Sequence, residues 1–338
     1  MIDLLVAGGG PAGLATALYG ARAGLEVVVV ERRSGTLDKA CGEGMMPHTV
    51  AHLERLGVAP PGEPLRGIAY IDGKQRIDAN FRTGCGRGVR RTVLHAALRE
   101  AASDAGVRTV HGDVGGVSQD ATSVQAAGLR ARYLAAADGL HSPIRRALGL
   151  SQPCRGPRRW GIRRHVHIAP WSDRVEVHWA AGSEAYVTPV ADDCVGIAIL
   201  SSGRGGFDHH LAEFPTLADR IGGHSHGPDR AAGPLRQKAR SRTAGRVLLV
   251  GDAAGYIDAL TGEGLGLAFG GAELLVESVV AQRPDDYDRQ WRTLTRRYRL
   301  LTAGLVRAGS IPLLRSRIVP AAHALPTVFA GVVNQLAA

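Results

Sequence analysis

The sequence predicts an α/β fold in which a Rossmann-like domain is interrupted by an antiparallel β-sheet domain and followed by a short C-terminal helical segment. Three observations predict it. In the opening stretch, Ile2 to Glu31, an apolar run, a glycine turn, an Ala/Leu-rich segment and a second apolar run follow one another. At residues 160–200 the pattern changes from long apolar runs to alternation. Glycine–acid clusters at Asp138-Gly139 and Gly251-Asp252 each stand just beyond an apolar strand, where α/β sheets bind ligands.

The opening stretch is the most specific. Leu4 to Ala7 suits a buried parallel strand, and the turn that follows matches G-x-G-x-x-G with Gly8, Gly10 and Gly13. Gly8 permits the tight turn, Gly10 lets a pyrophosphate approach the backbone, and Gly13 lets helix and strand pack closely. The helix from Pro11 to Ala23 is closed by Gly24, and its N-terminus presents free N–H groups and a positive dipole end to phosphates. Val27 to Val30 forms a second buried strand ending in Glu31, eighteen residues after Gly13, where a carboxylate can accept hydrogen bonds from a ribose. Together these read as a dinucleotide site.

A loop from Arg32 to Met46 carries DKACGEGMMP, Asp38 to Pro47, and Pro47 opens a helix with apolar Val50, Leu53 and Leu56 that stops at Gly57. Residues 68–81 read as a hairpin turning at Asp72-Gly73. Thr92 to Ala105 shows a helical apolar face, followed by short strands at 107–111, 123–126 and 131–137. Val166/Ile168, Val175/Val177/Trp179, Tyr186 to Val190 and Val195 to Leu200 then read as successive antiparallel strands. Residues 207–221 look helical, 233–237 and 246–250 return to strand, and 264–282 is a long helix. The tail is helical in pattern and broken by Pro312, Pro320 and Pro326. The expected domains are 1–158 with 233–284, carrying a hairpin insertion near 66–82, then 159–232, and a helical segment 285–338.

Composition narrows the partners. With 338 residues the chain buries a large core, and no apolar run approaches the ~20 residues that span a bilayer. The apolar N-terminus lacks the basic region of a secretion signal, so the expected compartment is cytoplasmic. Cys41, Cys85, Cys154 and Cys194 are scattered without a C-x-x-C pair, which argues against a metal site or disulfide framework. The net charge of +10 is carried almost wholly by arginine spread along the chain. With no nucleic-acid-binding motif, it points instead to an anionic substrate or to peripheral membrane contact.

The order of a G-x-G-x-x-G fingerprint, the D-G-x-x-S-x-x-R motif from Asp138 to Arg145 and the G-D-A-A motif from Gly251 resembles the FAD-dependent oxidoreductases of the p-hydroxybenzoate-hydroxylase-like superfamily, over residues 1–150 and 246–282. The resemblance implies a glutathione-reductase-type FAD-binding domain. It implies FAD held by Gly8, Gly10, Pro11, Ala12 and Gly13 at the pyrophosphate and by Glu31 with Arg32 at the adenosine end. It places Asp252 and Gly251 at the ribityl chain, Gly262, Gly264 and Leu265 at the isoalloxazine, Arg91 near the phosphates, and Asp138 in support of the flavin. NAD(P)H or another reductant is the implied electron donor, and the oligomeric state is left open.

Where aromatic hydroxylases of the superfamily continue G-D-A-A with histidine, this chain has Gly255. The loop DKACGEGMMP resembles the D-K-x-C-G-x-G motif of the geranylgeranyl-reductase branch, which makes Cys41 and Gly42 candidate site residues and Cys41 a candidate catalytic one. Cys41 reads equally as a small residue in a packed loop, and His141 reads as structural within its turn. In the inserted sheet Trp179, Tyr186 and Pro189 are candidates for the substrate wall, with core packing as the other reading of the aromatics. The function so implied is a flavin reductase of C=C bonds on a hydrophobic or aromatic small molecule. The alternatives are an NAD(P)H-dependent monooxygenase hydroxylating an aromatic or polyketide-like substrate, and a flavin-binding protein without turnover.

Overall fold

The computed structural model describes residues 1–73 and 75–337. The strands that carry the architecture are, in chain order, β1 (Ile2–Ala7), β2 (Val27–Glu31), β3 (Gly67–Asp72), β4 (Gln75–Asn80), β5 (Arg108–His111), β6 (Leu129–Ala136), β7 (Trp160–Val166), β8 (Arg174–Trp179), β9 (Ser183–Ala191), β10 (Cys194–Ser201), β11 (Arg230–Ala232) and β12 (Val247–Leu249). The helices are α1 (Pro11–Arg22), α2 (Pro47–Arg55), α3 (Arg91–Asp104), α4 (Pro143–Ala147), α5 (Phe207–Leu211), α6 (Pro215–Ile221), α7 (Gly264–Val280), α8 (Pro284–Gly309), α9 (Pro312–Arg315), α10 (Ile318–Ala324) and α11 (Pro326–Ala337).

One sheet has the parallel core β12-β6-β1-β2-β5. Leu4, Leu5, Val6, Val28, Val29, Leu134 and Leu248 are at most 1 % exposed, as strands covered on both faces require. All four strands that matter for chemistry end at the same edge, so Gly8, Glu31, Asp138 and Asp252 emerge side by side. The second sheet runs β11-β7-β10-β9-β8-β3-β4, antiparallel except for the parallel β8–β3 pair. The expected hairpin near 66–82 therefore belongs to this second sheet, because β3 pairs with β8 from Gly67–Arg174 to Ile71–His178.

The other departures are local. The stretch 207–221 divides into α5 and α6 because Pro215 starts a new helix. The strand expected at 233–237 is replaced by β11 and a separate short strand, Lys238–Ala239, on either side of Pro234, which has no N–H to give a ladder. Pro312 and Pro326 begin α9 and α11, whereas Pro320 sits in the first turn of α10, where its missing N–H has no intrahelical acceptor to lose.

Candidate functional site

Gly8 leaves β1 at φ +110°, and a Cβ there would lie 2.5 Å from the Ala137 carbonyl oxygen at the end of β6. A Cβ on Gly13 would overlap the Gly8 carbonyl, so loop, helix and two strands interlock only through these glycines. Gly10 faces open space. Behind it α1 begins with no side-chain cap, so its first-turn N–H groups have no intrahelical acceptor and remain open to an anion. Glu31 accepts from Gly9 N–H at 2.7 Å and from Arg33 N–H at 2.9 Å, so it pins the turn as well as presenting a carboxylate. Buried His95 completes the brace. Its Nδ1 accepts from Leu37 N–H at 3.3 Å, so its Nε2 donates to the Gly9 carbonyl at 2.9 Å.

The other two clusters are bolted together. Asp138 accepts from Ile144 N–H at 3.0 Å, and Ser142 caps α4 by accepting from Arg145 N–H at 2.9 Å. Arg145 is buried with no acid partner among the described residues; it donates to the carbonyls of Ala253 (2.9 Å) and Leu140 (3.0 Å) and to Gln237 Oε1 (2.9 Å). The motif arginine thus fixes the backbone that carries Asp252. His141 donates to the Gly233 carbonyl at 3.1 Å, a turn contact.

The DKACGEG loop closes over this edge. Lys39, Cys41, Gly42 and Arg91 line one cavity with Gly10, Pro11, Ala12, Gly139, Gly251, Asp252, Gly262, Gly264 and Leu265, in a volume of ≈ 470 Å³. Burial pushes the Cys41 thiol above its usual range, so it stands protonated, and its sulfur accepts from Glu43 N–H at 3.4 Å. Glu43, absent from the sequence-derived candidates, is 2 % exposed and held at φ +61°. One carboxylate oxygen accepts from Arg91 N–H at 2.7 Å, the other from His165 Nε2 at 2.6 Å. Arg163 donates to His165 Nδ1 at 3.0 Å and pairs with Asp38, which also takes Arg230 at 2.9 Å. A buried chain of charge therefore joins the loop, α3 and the second sheet.

The substrate-side candidates divide. Tyr186 lines the cavity and donates to the Leu260 carbonyl at 3.0 Å. Trp179 does not: it shares a face of β8 with cavity-lining Val175 and Val177 but lies past the cavity's end, covered by Tyr70 at 5.4 Å between ring centroids and by Arg315. Pro189 has the opposite strand parity to Tyr186, and its carbonyl abuts Gly88 instead. The wall residue the alternation selects is Thr188, whose hydroxyl donates to the Gly42 carbonyl at 2.8 Å. Arg32 is exposed and off the wall, and Asp138 serves the turn while its neighbours Ala137 and Gly139 face the cavity. The rest of the wall was not foreseen. Leu305 of α8 and the residues Ile318, Ala322, Phe329, Val333 and Leu336 of α10 and α11 roof the cavity over Ile68, Tyr70, Val177, Ala198 and Leu200.

These residues fit FAD. Open space at Gly10 admits a pyrophosphate, and Arg91, whose Nε is buried with no hydrogen-bond partner among the described residues, stands ready for an anion. The Asp252 carboxylate lines the cavity with no hydrogen bond or ion pair among the described residues, and burial raises its pKa. Asp252→Ala should weaken FAD by about 1–3 kcal/mol, the worth of hydroxyl groups left without their acceptor. Because no protein contact is lost and a desolvated carboxylate is removed, the apoprotein should melt no lower than wild type. Glu31→Ala should weaken FAD and also lower the melting temperature, since Gly9 N–H loses its acceptor. Fluorescence titration and thermal melts separate the two, and full FAD affinity in both variants would refute the assignment of these acids.

Among curated proteins the chain is 29% identical to menaquinone reductase of Mycobacterium tuberculosis, over 86% of this chain and 79% of that one. It is 24% identical to digeranylgeranylglycerophospholipid reductase 1 of Methanothermobacter thermautotrophicus, over 86% and 82%. The fold is similar to that of OxyS anhydrotetracycline hydroxylase from Streptomyces rimosus, with TM-score 0.76 and 21% identity, covering 99% of this chain and 75% of that structure. The family model described as FAD binding domain matches residues 1–226, which takes in the glycine loop, the DKACGEG loop and most of the second sheet. The chain belongs to the FAD binding domain family and is an FAD-dependent oxidoreductase.

Proposed function

We propose that the protein reduces a C=C bond in a long apolar, isoprenoid-type substrate, with NAD(P)H or another reductant recharging the FAD. The observation that carries this reading is the division of the cavity. One end is built of glycine backbone, Lys39, Arg91 and Asp252; the other is roofed by the aliphatic side chains of α8, α10 and α11 and floored by the second sheet. The names of the reductases among its relatives support the same reading.

Bound FAD supplies the hydride chemistry. The chain's residues hold it and exclude water. Lys39 and Arg91 offer positive charge to phosphates, and the uncapped start of α7 at Gly264 turns its positive dipole end toward the cavity. Cys41 lines the cavity, and its thiol keeps its proton because burial disfavours the thiolate. Reduction of C=C adds one hydride and one proton; in this reading the Cys41 Sγ–H gives that proton and is reprotonated from solvent once the product has left. Tyr186, its hydroxyl committed to Leu260, shapes the wall and carries no proton in the reaction.

Cys41→Ala should keep FAD, whose contacts lie elsewhere, and lose product formation by about 100-fold or more if the thiol supplies the proton. The test incubates reduced protein anaerobically with polyprenyl quinones and geranylgeranyl lipids and reads reoxidation and a product heavier by one H₂. Cys41→Ala turning over the identified substrate at the wild-type rate would defeat the role of the thiol. Substrate-dependent oxygen consumption with oxygen in the product would replace the reductase by a hydroxylase. Bound FAD that no donor reduces would mark a flavin-binding protein without turnover.

A further inference from the structure

Exposed apolar side chains gather at and beside the roof of the cavity. In α9 Leu313 is 71 % and Leu314 47 % exposed, and at the α10–α11 junction Leu325 is 56 % and Val328 57 % exposed. Residues 315–324 separate the two groups, and α10 supplies seven of these ten, about 10 Å of helix. Leu325 and Val328 face solvent and line the cavity at once, so the apolar surface is continuous with its mouth. Exposed apolar residues gathered in this way mark an interaction site.

Charge indicates the occupant. From Arg289 to the end of the chain there are eight arginines and no aspartate or glutamate. Arg307 and Arg317, on either side of α9, are exposed, while Arg315 turns inward to Glu184 at 3.0 Å and so leaves the apolar tip uncharged. The inner side of the hairpin is anchored. Phe329 and Val333 are buried, and Asn334 hydrogen-bonds the Asn80 carbonyl and Arg82 N–H beside β4. Among the described residues no single helix is long and apolar enough to cross a membrane, although the pair Pro312–Ala324 and Pro326–Ala337, bent by 104°, has the composition. A twelve-residue helix spans about 18 Å, short of the ~30 Å hydrocarbon core, so the geometry suits lying in an interface.

We propose that α9 to α11 form a docking surface for an anionic lipid bilayer, with Leu313, Leu314, Leu325 and Val328 entering the interface and Arg307 and Arg317 meeting the headgroups. The mouth between α10 and α11 would then open onto the acyl layer, and an apolar substrate would enter without crossing water. The docking is measured without turnover, so it stands or falls separately from the reductase assignment.

The test floats the FAD-loaded full chain with vesicles of phosphatidylcholine alone or mixed with equal phosphatidylglycerol. The expected result is flotation with the anionic vesicles that weakens with salt. Leu313→Ser/Leu314→Ser, outside the cavity wall, should reduce the bound fraction about ten-fold or more while retaining FAD absorbance. Arg307→Gln/Arg317→Gln should lower binding and flatten its salt dependence. Failure of wild type to float at low salt, or a leucine variant that floats as wild type does, would overturn the proposal. So would a wild-type dimer, dissociated by the leucine substitutions, that ignores vesicles, since a second copy would then cover the surface.

Discussion

Gly13→Ala should yield a protein without FAD. The added methyl would overlap the Gly8 carbonyl oxygen and stand 3.2 Å from Ala137 Cβ. Neither neighbour can yield cheaply, because Gly8 is itself pressed against the Ala137 carbonyl and donates its N–H to Val30 O at 2.8 Å. Relief requires α1 to lift from β1 and β6, at a cost of about 1–3 kcal/mol or more, and it moves the N–H groups on which the pyrophosphate would sit. Gly10→Ala is the informative partner. Its Cβ meets nothing within 4 Å, and its φ of −74° suits any residue, so the apoprotein should melt as wild type does. The methyl would nevertheless project into the space a phosphate needs, and FAD should be lost or greatly weakened. Visible flavin absorbance after purification and melts of the apoproteins read both outcomes. Wild-type FAD affinity in Gly13→Ala would show that the loop does not bind as assigned.

Glu43→Ala should cost about 3–5 kcal/mol of stability, the penalty for removing one partner of a buried charged network. His165, buried, loses the acceptor of its Nε2 proton, and Arg91 N–H loses the acceptor that starts α3. Glu43→Gln is no substitute. Arg163 already donates to His165 Nδ1, so Nε2 must carry the proton, and a glutamine amide in the Oε2 position would set donor against donor. With the amide flipped, the conflict moves to Arg91 N–H, so the glutamine variant should lose about 1–3 kcal/mol. Glu43→Gly separates backbone from side chain: it tolerates φ +61° and should recover about 1 kcal/mol relative to alanine. Urea denaturation of the three variants orders them, and a Glu43→Ala protein as stable as wild type would show that the network holds nothing together. Since the loop also carries Cys41, the same variants should move turnover with stability.

The sequence by itself determined the dinucleotide half of this site, because that half is local. β1, the glycine turn, α1, β2 and Glu31 are contiguous, and the demands on Gly8, Gly10 and Gly13 arise from a turn of six residues. Asp252 stood out because it follows an apolar strand directly in G-D-A-A, whereas Arg91 was a candidate only by resemblance; both line the cavity. Tyr186 was a wall candidate by resemblance, with core packing as the other reading, and strand alternation counted from it points to Thr188 rather than Pro189.

Tertiary structure alone decided the rest. That Trp179 falls beyond the cavity depends on where β3 and Arg315, distant in sequence, end their cover of β8. Glu43 stood in the motif, yet its role depends on His165 and Arg163, some 120 residues away, arriving on β7 with their own charges to satisfy. The helical tail carried a readable pattern, but an amphipathic helix states only that it has an apolar face, not what that face will cover. Here α10 and α11 cover the second sheet's open side through contacts more than 200 residues apart, and so turn a sheet face into a roofed apolar cavity.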